Sequence, residues 1–317
     1  MALTLEQYAA YLDTRADLAW PAAPEVEPAN ARPHLARLPD VRAVTWNVYG
    51  TLLAIAGGEL YFEHPQKFIM DLALDKTLQE FKMWGSMSRK PGQPAEYLGQ
   101  IYAKVLAEQK LAVVPGEKFP EVSSHRLWEA IIKKLLQKDY QFDAGFFGSL
   151  NEFSRKVAYF FHASLQGTAG YPGLAQALRH VADRGLLQGL LADGQCFTPV
   201  QLQRGLGCQG GSANLDDLID PGLYVLSYEQ RGRKPSDRLF RQMLALLADR
   251  GVRPDQVLHV GSRVAADVVP ARRLGLRTAL FAGDKASLQA TKAQLKEPAS
   301  RPDVLPTELG QLAEVVG

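Results

Sequence analysis

The sequence predicts an α/β fold in which a doubly wound parallel sheet carries an inserted α-helical domain. Three observations predict it. A short β-branched and aromatic run, Val41 to Val48, meets Gly50, as when a buried parallel strand hands the chain to a loop. The stretch 57–166 then has helical periodicity with hardly any strand signal. From Tyr171 onward strands and helices alternate, the pattern of parallel strands joined by right-handed helical crossovers.

Composition sets the class. Hydrophobic residues make up 46% of the 317, ample for a packed core in a folded protein. With 36 basic and 34 acidic side chains there is no electrostatic case for nucleic acid or an anionic membrane surface. The apolar runs are far shorter than a bilayer span, and no basic region followed by an apolar core opens the chain, so a cytoplasmic protein is expected. Two cysteines, Cys196 and Cys208, are too few for a disulfide framework and are read as reduced thiols.

The elements follow in order. Residues 1–40 form a helix through Leu5, Tyr8, Ala9, Tyr11 and Leu12, then a proline-rich arm from Trp20 to Pro33, where proline suppresses helix. Residues 41–56 and 167–317 form the α/β core, and 57–166 the helical domain. In that domain apolar positions recur at Phe68, Ile69 and Leu72, at Tyr97, Ile101 and Val105, at Leu127, Trp128, Ile131 and Leu135, and at Phe153, Val157, Phe160 and Phe161. Pro91-Gly92, Pro115-Gly116, Pro120 and Gly145 break the chain between them, giving a bundle of about four helices. In the core, Pro172-Gly173 opens a helix ending at Gly185, and Leu186 to Leu191 reads as a buried strand. Thr198 is read as an N-cap with Pro199 at the first helical position, and Leu223 to Ser227 as a strand. Ser236 caps a helix closed by Gly251. Val257 to Val260 is a strand, Ala265 to Leu274 a helix, Thr278 to Phe281 a strand and Val304-Leu305 a last one before a helix from Thr307.

Four fragments then stand in the order used by the haloacid dehalogenase superfamily of hydrolases. Asn47-Val48-Tyr49-Gly50-Thr51-Leu52 resembles its first motif, and Leu190-Leu191-Ala192-Asp193-Gly194 its second. Gly232-Arg233-Lys234-Pro235 resembles the third, built on a lysine, and Val260-Gly261-Ser262 with Asp267 five residues later resembles the fourth. Tyr171-Pro172-Gly173 and Arg301-Pro302-Asp303 also look like features of the family. The resemblance implies a Rossmann-type core with a helical cap, a C1-type insert. Its chemistry would be a first-motif aspartate attacking carbon or phosphorus to give a covalent ester. A hydroxyl and a lysine would hold the transferred group, and in the phosphatases carboxylates of the first and fourth motifs would hold Mg²⁺.

This chain departs from that pattern at three places. Asn47 stands at the nucleophile position, and an amide is a far weaker nucleophile and Mg²⁺ ligand than a carboxylate. Ala192 removes the second-motif hydroxyl, and Asp193 beside it would repel a phosphate. Ser262 removes a metal carboxylate. Tyr49 matches the members that displace halide, while Lys234 and Asp267 are retained. No metal is expected; if Mg²⁺ binds, weakly, its positions are Asn47, Ser262 and Asp267.

The expected catalytic positions are therefore Asn47, Tyr49, Thr51, Lys234 and Asp267, and the ligand-facing ones Ala192, Asp193, Gly194, Ser262 and Arg263. Each carries a plainer reading as well. Thr51 is preferred as a tie within its loop, Asp267 would serve equally as a complement to a helix dipole, and Arg263 is preferred as a surface arginine over a guanidinium at the metal position. The setting of Lys234 favours a site residue. His34, His64, His125, His162, His180 and His259 show no ligand spacing and no recognisable pairing with a serine or cysteine. Phe160 and Phe161 are read as bundle core, and Gly205, Gly207, Gly210 and Gly211 as a flexible turn. Three functions stay open: a protein that has lost the covalent reaction and binds a small ligand or a partner, a hydrolase using altered chemistry at the same cleft, and an interaction protein built on the insert.

Overall fold

The structure is a computed structural model that describes residues 2–86, 93–112, 115–209 and 213–316. Pro91-Gly92, Gly210 and Gly211 lie outside the described residues. Its centre is β1 (Ala43–Trp46), buried at all four positions and paired in parallel with β4 (Leu187–Ala192) and β6 (Val257–Gly261). With β5 (Tyr224–Leu226) and β7 (Arg277–Leu280) at the edges the order is β5-β4-β1-β6-β7. The alternation of a strand decides which side chain meets which layer. Val44, Trp46, Leu190, Leu258 and Val260 pack on one face with α7 (Leu174–Asp183), α8 (Thr198–Gly207) and the C-terminal α13 (Leu312–Val315). Ala43, Leu191 and Val257 pack on the other with α11 (Asp237–Ala248) and α12 (Val269–Arg273). Short helices α9 (Leu215–Leu218) and α10 (Ser227–Gln230) complete the core.

The insert leaves and re-enters through a second small sheet, β2 (Leu53–Ile55) antiparallel to β3 (Thr168–Gly170). Three residues a side are too few for alternation to be visible in sequence. Between them run α2 (Lys67–Glu80), α3 (Pro94–Lys110), α4 (Ser124–Leu136), α5 (Ala144–Phe147) and α6 (Leu150–Leu165). The apolar faces predicted for α4 and α6 are buried, Phe160 and Phe161 included. The face predicted for α2 is corrected: Phe68 and Leu72 are 76% and 41% exposed, and Ala73, Leu74, Thr77 and Leu78 point inward. Apolar residues lie all around this helix, so spacing alone does not choose a side. On α3 the inward set is Leu98, Tyr102, Val105 and Leu106. The N-terminal α1 (Leu5–Asp13), opened by a Thr4 and Gln7 capping box, buries Tyr8, Ala9 and Leu12 in the core of the insert.

Four further expectations change. Phe197 caps α8, while the Thr198 hydroxyl accepts from Gln195 N at 2.7 Å and ties the preceding turn. Gly205 and Gly207 are helical; a Cβ on Gly205 would lie 2.7 Å from Leu53 Cδ2, so the glycine lets α8 approach β2 and β3. Val304 and Leu305 make isolated bridges, to Ala279 and His34, in place of a strand. The helix expected from Ala265 begins as a π-turn over Val264–Val268, which curls the chain back on itself before α12. Among the described residues no helix is long and apolar enough to cross a membrane.

Candidate functional site

The C-terminal ends of β1, β4 and β6 meet under the insert. Asn47 follows β1 and is held by its backbone N–H to Val260 O at 2.8 Å. The loop then turns at Gly50, whose φ of +76° a side chain would strain and whose Cβ would meet Gly58 O at 2.9 Å. The Asn47 amide nitrogen donates to Tyr49 O at 2.8 Å and to Thr51 Oγ1 at 3.1 Å, and its oxygen accepts from Lys234 Nζ at 2.8 Å. Its orientation is unambiguous, because an ammonium cannot accept and a carbonyl cannot donate. Thr51 is the tie within the loop that its spacing implied.

Lys234 reaches Asn47 from the loop before α11 with its side chain fully buried, and donates also to Asp267 Oδ1. The π-turn lets Asp267 fold back, so that Oδ2 accepts from the backbone N–H of Ser262 at 3.1 Å and of Arg263 at 2.9 Å. Burial opposes charge on this carboxyl, but Lys234, His259 at 3.6 Å and Arg263 outweigh it and hold its pKa well below the usual carboxylate range. A helix-dipole role does not describe Asp267, which is buried and paired. His259 lies in the core, and burial lowers its pKa.

Arg263 overturns its surface reading. It is 6% exposed, and its Nη2 lies 2.9 Å from Asp193 Oδ2. Asp193 accepts through its other oxygen from Lys234 N at 2.7 Å. Lys234, Arg263, Asp193 and Asp267 thus form one interlocked set of two cations and two anions. Sequence spacing could not find it, since the partners are 33 to 70 residues apart except for Arg263 and Asp267.

The insert and neighbouring loops roof this set. The cleft is lined by Asn47, Tyr49, Asp193, Gly194 and Arg263 from below, and by Glu59, Leu60, Phe62, Glu121, Gln195 and Arg233. Of those last six only Arg233 falls in one of the four fragments, the one built on Lys234; no motif marks the other five. Arg233 Nη2 donates to Glu59 Oε2 at 3.2 Å across the mouth. Glu121 accepts from Ser227 Oγ at 2.7 Å and from Val122 N at 2.9 Å; burial, reinforced by Asp193, pushes its pKa up to about 7. The space open to a water-sized molecule is about 20 Å³, room for one water.

The other expected residues are placed as follows. The Tyr49 hydroxyl turns to Thr198 Oγ1 at 3.0 Å and Gln201 Oε1 at 2.5 Å, leaving its ring on the cleft. Gly194 N donates to Ser227 Oγ at 2.9 Å. Ala192 is buried in the sheet core and does not line the cleft, and Ser262 Oγ is buried without a hydrogen-bond partner among the described residues. Two histidines do meet serines inside the insert, His125 with Ser123 at 3.0 Å and His162 with Ser124 at 2.9 Å. Burial lowers their pKa to about 4 and about 3, leaving both neutral near pH 7, and the buried Ser124 presents no path to a substrate.

A divalent metal does not fit this donor set. Among the described residues no group of three or more His, Cys, Asp or Glu side chains is placed to hold one. Both Asp267 oxygens and the Asn47 oxygen are already accepting, and a guanidinium lies beside the carboxylates.

Comparison with known proteins agrees with this architecture. Residues 232–312 match the HAD-hydrolase-like family model. The glyceraldehyde 3-phosphate phosphatase of Pyrococcus furiosus is 29% identical over 147 residues, 46% of this chain and 53% of that protein. The chain therefore spans about half the length of the curated relative it matches. Among solved structures, the 2-haloacid dehalogenase of Pseudomonas syringae pv. Tomato DC3000 shares the fold at a TM-score of 0.53 and 18% identity, over 86% of this chain and 97% of that one. A HAD phosphatase of Thermococcus onnurineus is similar at a TM-score of 0.45 and 16% identity, covering 86% and 96%. The fold is that of the haloacid dehalogenase hydrolases, and the family model matches the C-terminal part of the chain.

Proposed function

We propose that this chain has lost the covalent hydrolysis of its superfamily and binds a small ligand in the cleft between core and insert. The observation that carries the reading is the Asn47 amide. It has no anionic oxygen to attack with, and both its ends are committed, the nitrogen to Tyr49 O and Thr51 Oγ1 and the oxygen to Lys234. Lys234 would otherwise be the cation for a transferred group, but Asp267 neutralises it. The missing nucleophile, hydroxyl and metal carboxylate would each remove several kcal/mol of transition-state stabilisation.

The alternative, a water activated by Asp193 or Asp267, is disfavoured because each carboxylate already accepts through both oxygens. A ligand larger than water would enter by displacing Glu59 and Arg233, whose side chains are 40% and 43% exposed. The near balance of acidic and basic residues supports a small-molecule partner over nucleic acid, and a cytoplasmic setting belongs to the same reading.

A panel of aryl phosphates and 2-haloacids, each with and without Mg²⁺, tests it. No turnover is expected; Mg²⁺-dependent release of phosphate or halide by the wild-type chain would overturn it. A thermal-shift series with phosphates, carboxylates and nucleotides should raise the melting midpoint for at least one class, and no shift with any would favour the interaction-protein reading.

A further inference from the structure

We infer that Arg263 is a tethered cation that takes the place of a divalent metal in the cleft and excludes one from it. The inference rests on the proposed loss of covalent hydrolysis, since it concerns the same site. Three carboxylates from separate segments converge on this one guanidinium. Asp193 Oδ2, after β4, is 2.9 Å from Nη2; Glu59 Oε2, after β2, is 3.7 Å from Nη1; and Asp267 Oδ2, in the π-turn, is 3.9 Å from Nε. Among the described residues these oxygens do not form a ligand set for a metal; they share the charge of the guanidinium, each facing a different one of its nitrogens.

The backbone aims the side chain. Arg263 N donates to the Asp267 carboxylate at 2.9 Å and the residue opens the π-turn, so its Cα is fixed beside the acid its guanidinium faces. The side chain is only 7% exposed, which leaves its charge unscreened by water, and its buried Nε has no hydrogen-bond partner among the described residues. That geometry is one of charge compensation at the right place with imperfect directional bonding. Without Arg263, Lys234 alone would face Asp193 and Asp267, with Glu59 held only by Arg233 at the rim. Removing the guanidinium should therefore turn a charge-balanced cluster into one that attracts a cation.

The experiment is a Mn²⁺ titration of the full chain followed by electron paramagnetic resonance, with Mg²⁺ competition. Wild type should leave the free Mn²⁺ signal undiminished. Arg263→Ala should show saturable loss of that signal, reversed by Mg²⁺, and Arg263→Gln should do the same if the alanine variant fails to fold by circular dichroism. Arg263→Lys, which keeps a cation, should behave as wild type, and Asp193→Asn added to Arg263→Ala should abolish the new binding. The inference is overturned if wild type takes up Mn²⁺ as tightly as Arg263→Ala, or if the folded neutral variants take up none. Failure of the functional proposal would be read separately, as turnover by the wild-type chain.

Discussion

Charge balance accounts for Asn47 as well as the proposed loss of reactivity does. Lys234 and Arg263 are matched by Asp193 and Asp267, so a neutral side chain at position 47 leaves the buried set without net charge. An aspartate there would add an unmatched anion and set a carboxylate oxygen against Tyr49 O, which now receives a proton at 2.8 Å. Asn47→Asp should thus destabilise the fold by about 1–3 kcal/mol in urea unfolding at pH 7, and less in acid, where the new carboxyl is neutral. Glu121 makes the second prediction at this scale. Its folded pKa of about 7 lies above its ordinary 4.5, so the folded state binds the proton more tightly. Stability should fall as pH rises from about 4.5 to about 7, by up to about 3 kcal/mol at about 1.4 kcal/mol per unit, and Glu121→Gln should flatten that part of the profile. The facing groups are Asp193, which raises the value, and Ser227 and Arg233, which lower it. The resemblance to short motifs of a few adjacent residues implies that Asn47, Ala192 and Ser262 stand where other groups are usual. It could not show Arg263 with Asp193, or Glu121 beneath the insert, because those contacts depend on how distant loops converge.

Elements were legible where a period was long or an end was marked. The core strands and α7 and α11 fall close to their predicted ranges because each pairs a buried run with a capping residue or a closing glycine such as Gly185 and Gly251. The three-residue strands β2 and β3 were missed, and the rotation of α2 was misread, for the opposite reason: too few residues in one case, apolar residues on several faces in the other. This α2 assignment is directly measurable. Leu74→Ala should cost about 2–5 kcal/mol, as for a filled core position, whereas Phe68→Ser should change stability by no more than about 0.5 kcal/mol. The reverse order in denaturant unfolding would mean that the outward face is buried.

For the whole molecule, the N-terminal arm, whose role spacing did not reveal, proves to span both units. Leu3 N donates to Phe146 O at 3.1 Å, and the Trp20 and Phe160 rings meet edge-on at 5.3 Å. Further along, Lys285 N reaches Glu27 O at 2.7 Å, His34 exchanges hydrogen bonds with Leu305, and Leu38 N reaches Val315 O at 2.9 Å. Proline-rich chain suits this path because it is extended and has few N–H groups to satisfy. The arm fastens insert to core over a cleft with space for one water, which is consistent with a site held closed around its own ion pairs. The most direct test of the proposed loss of the covalent reaction is the intact mass of the wild-type protein, acid-quenched after incubation with an aryl phosphate or 2-chloropropionate, with and without Mg²⁺. An unchanged mass is predicted; one added phosphoryl or 1-carboxyethyl group, mapped to the peptide that contains residue 47, would contradict it.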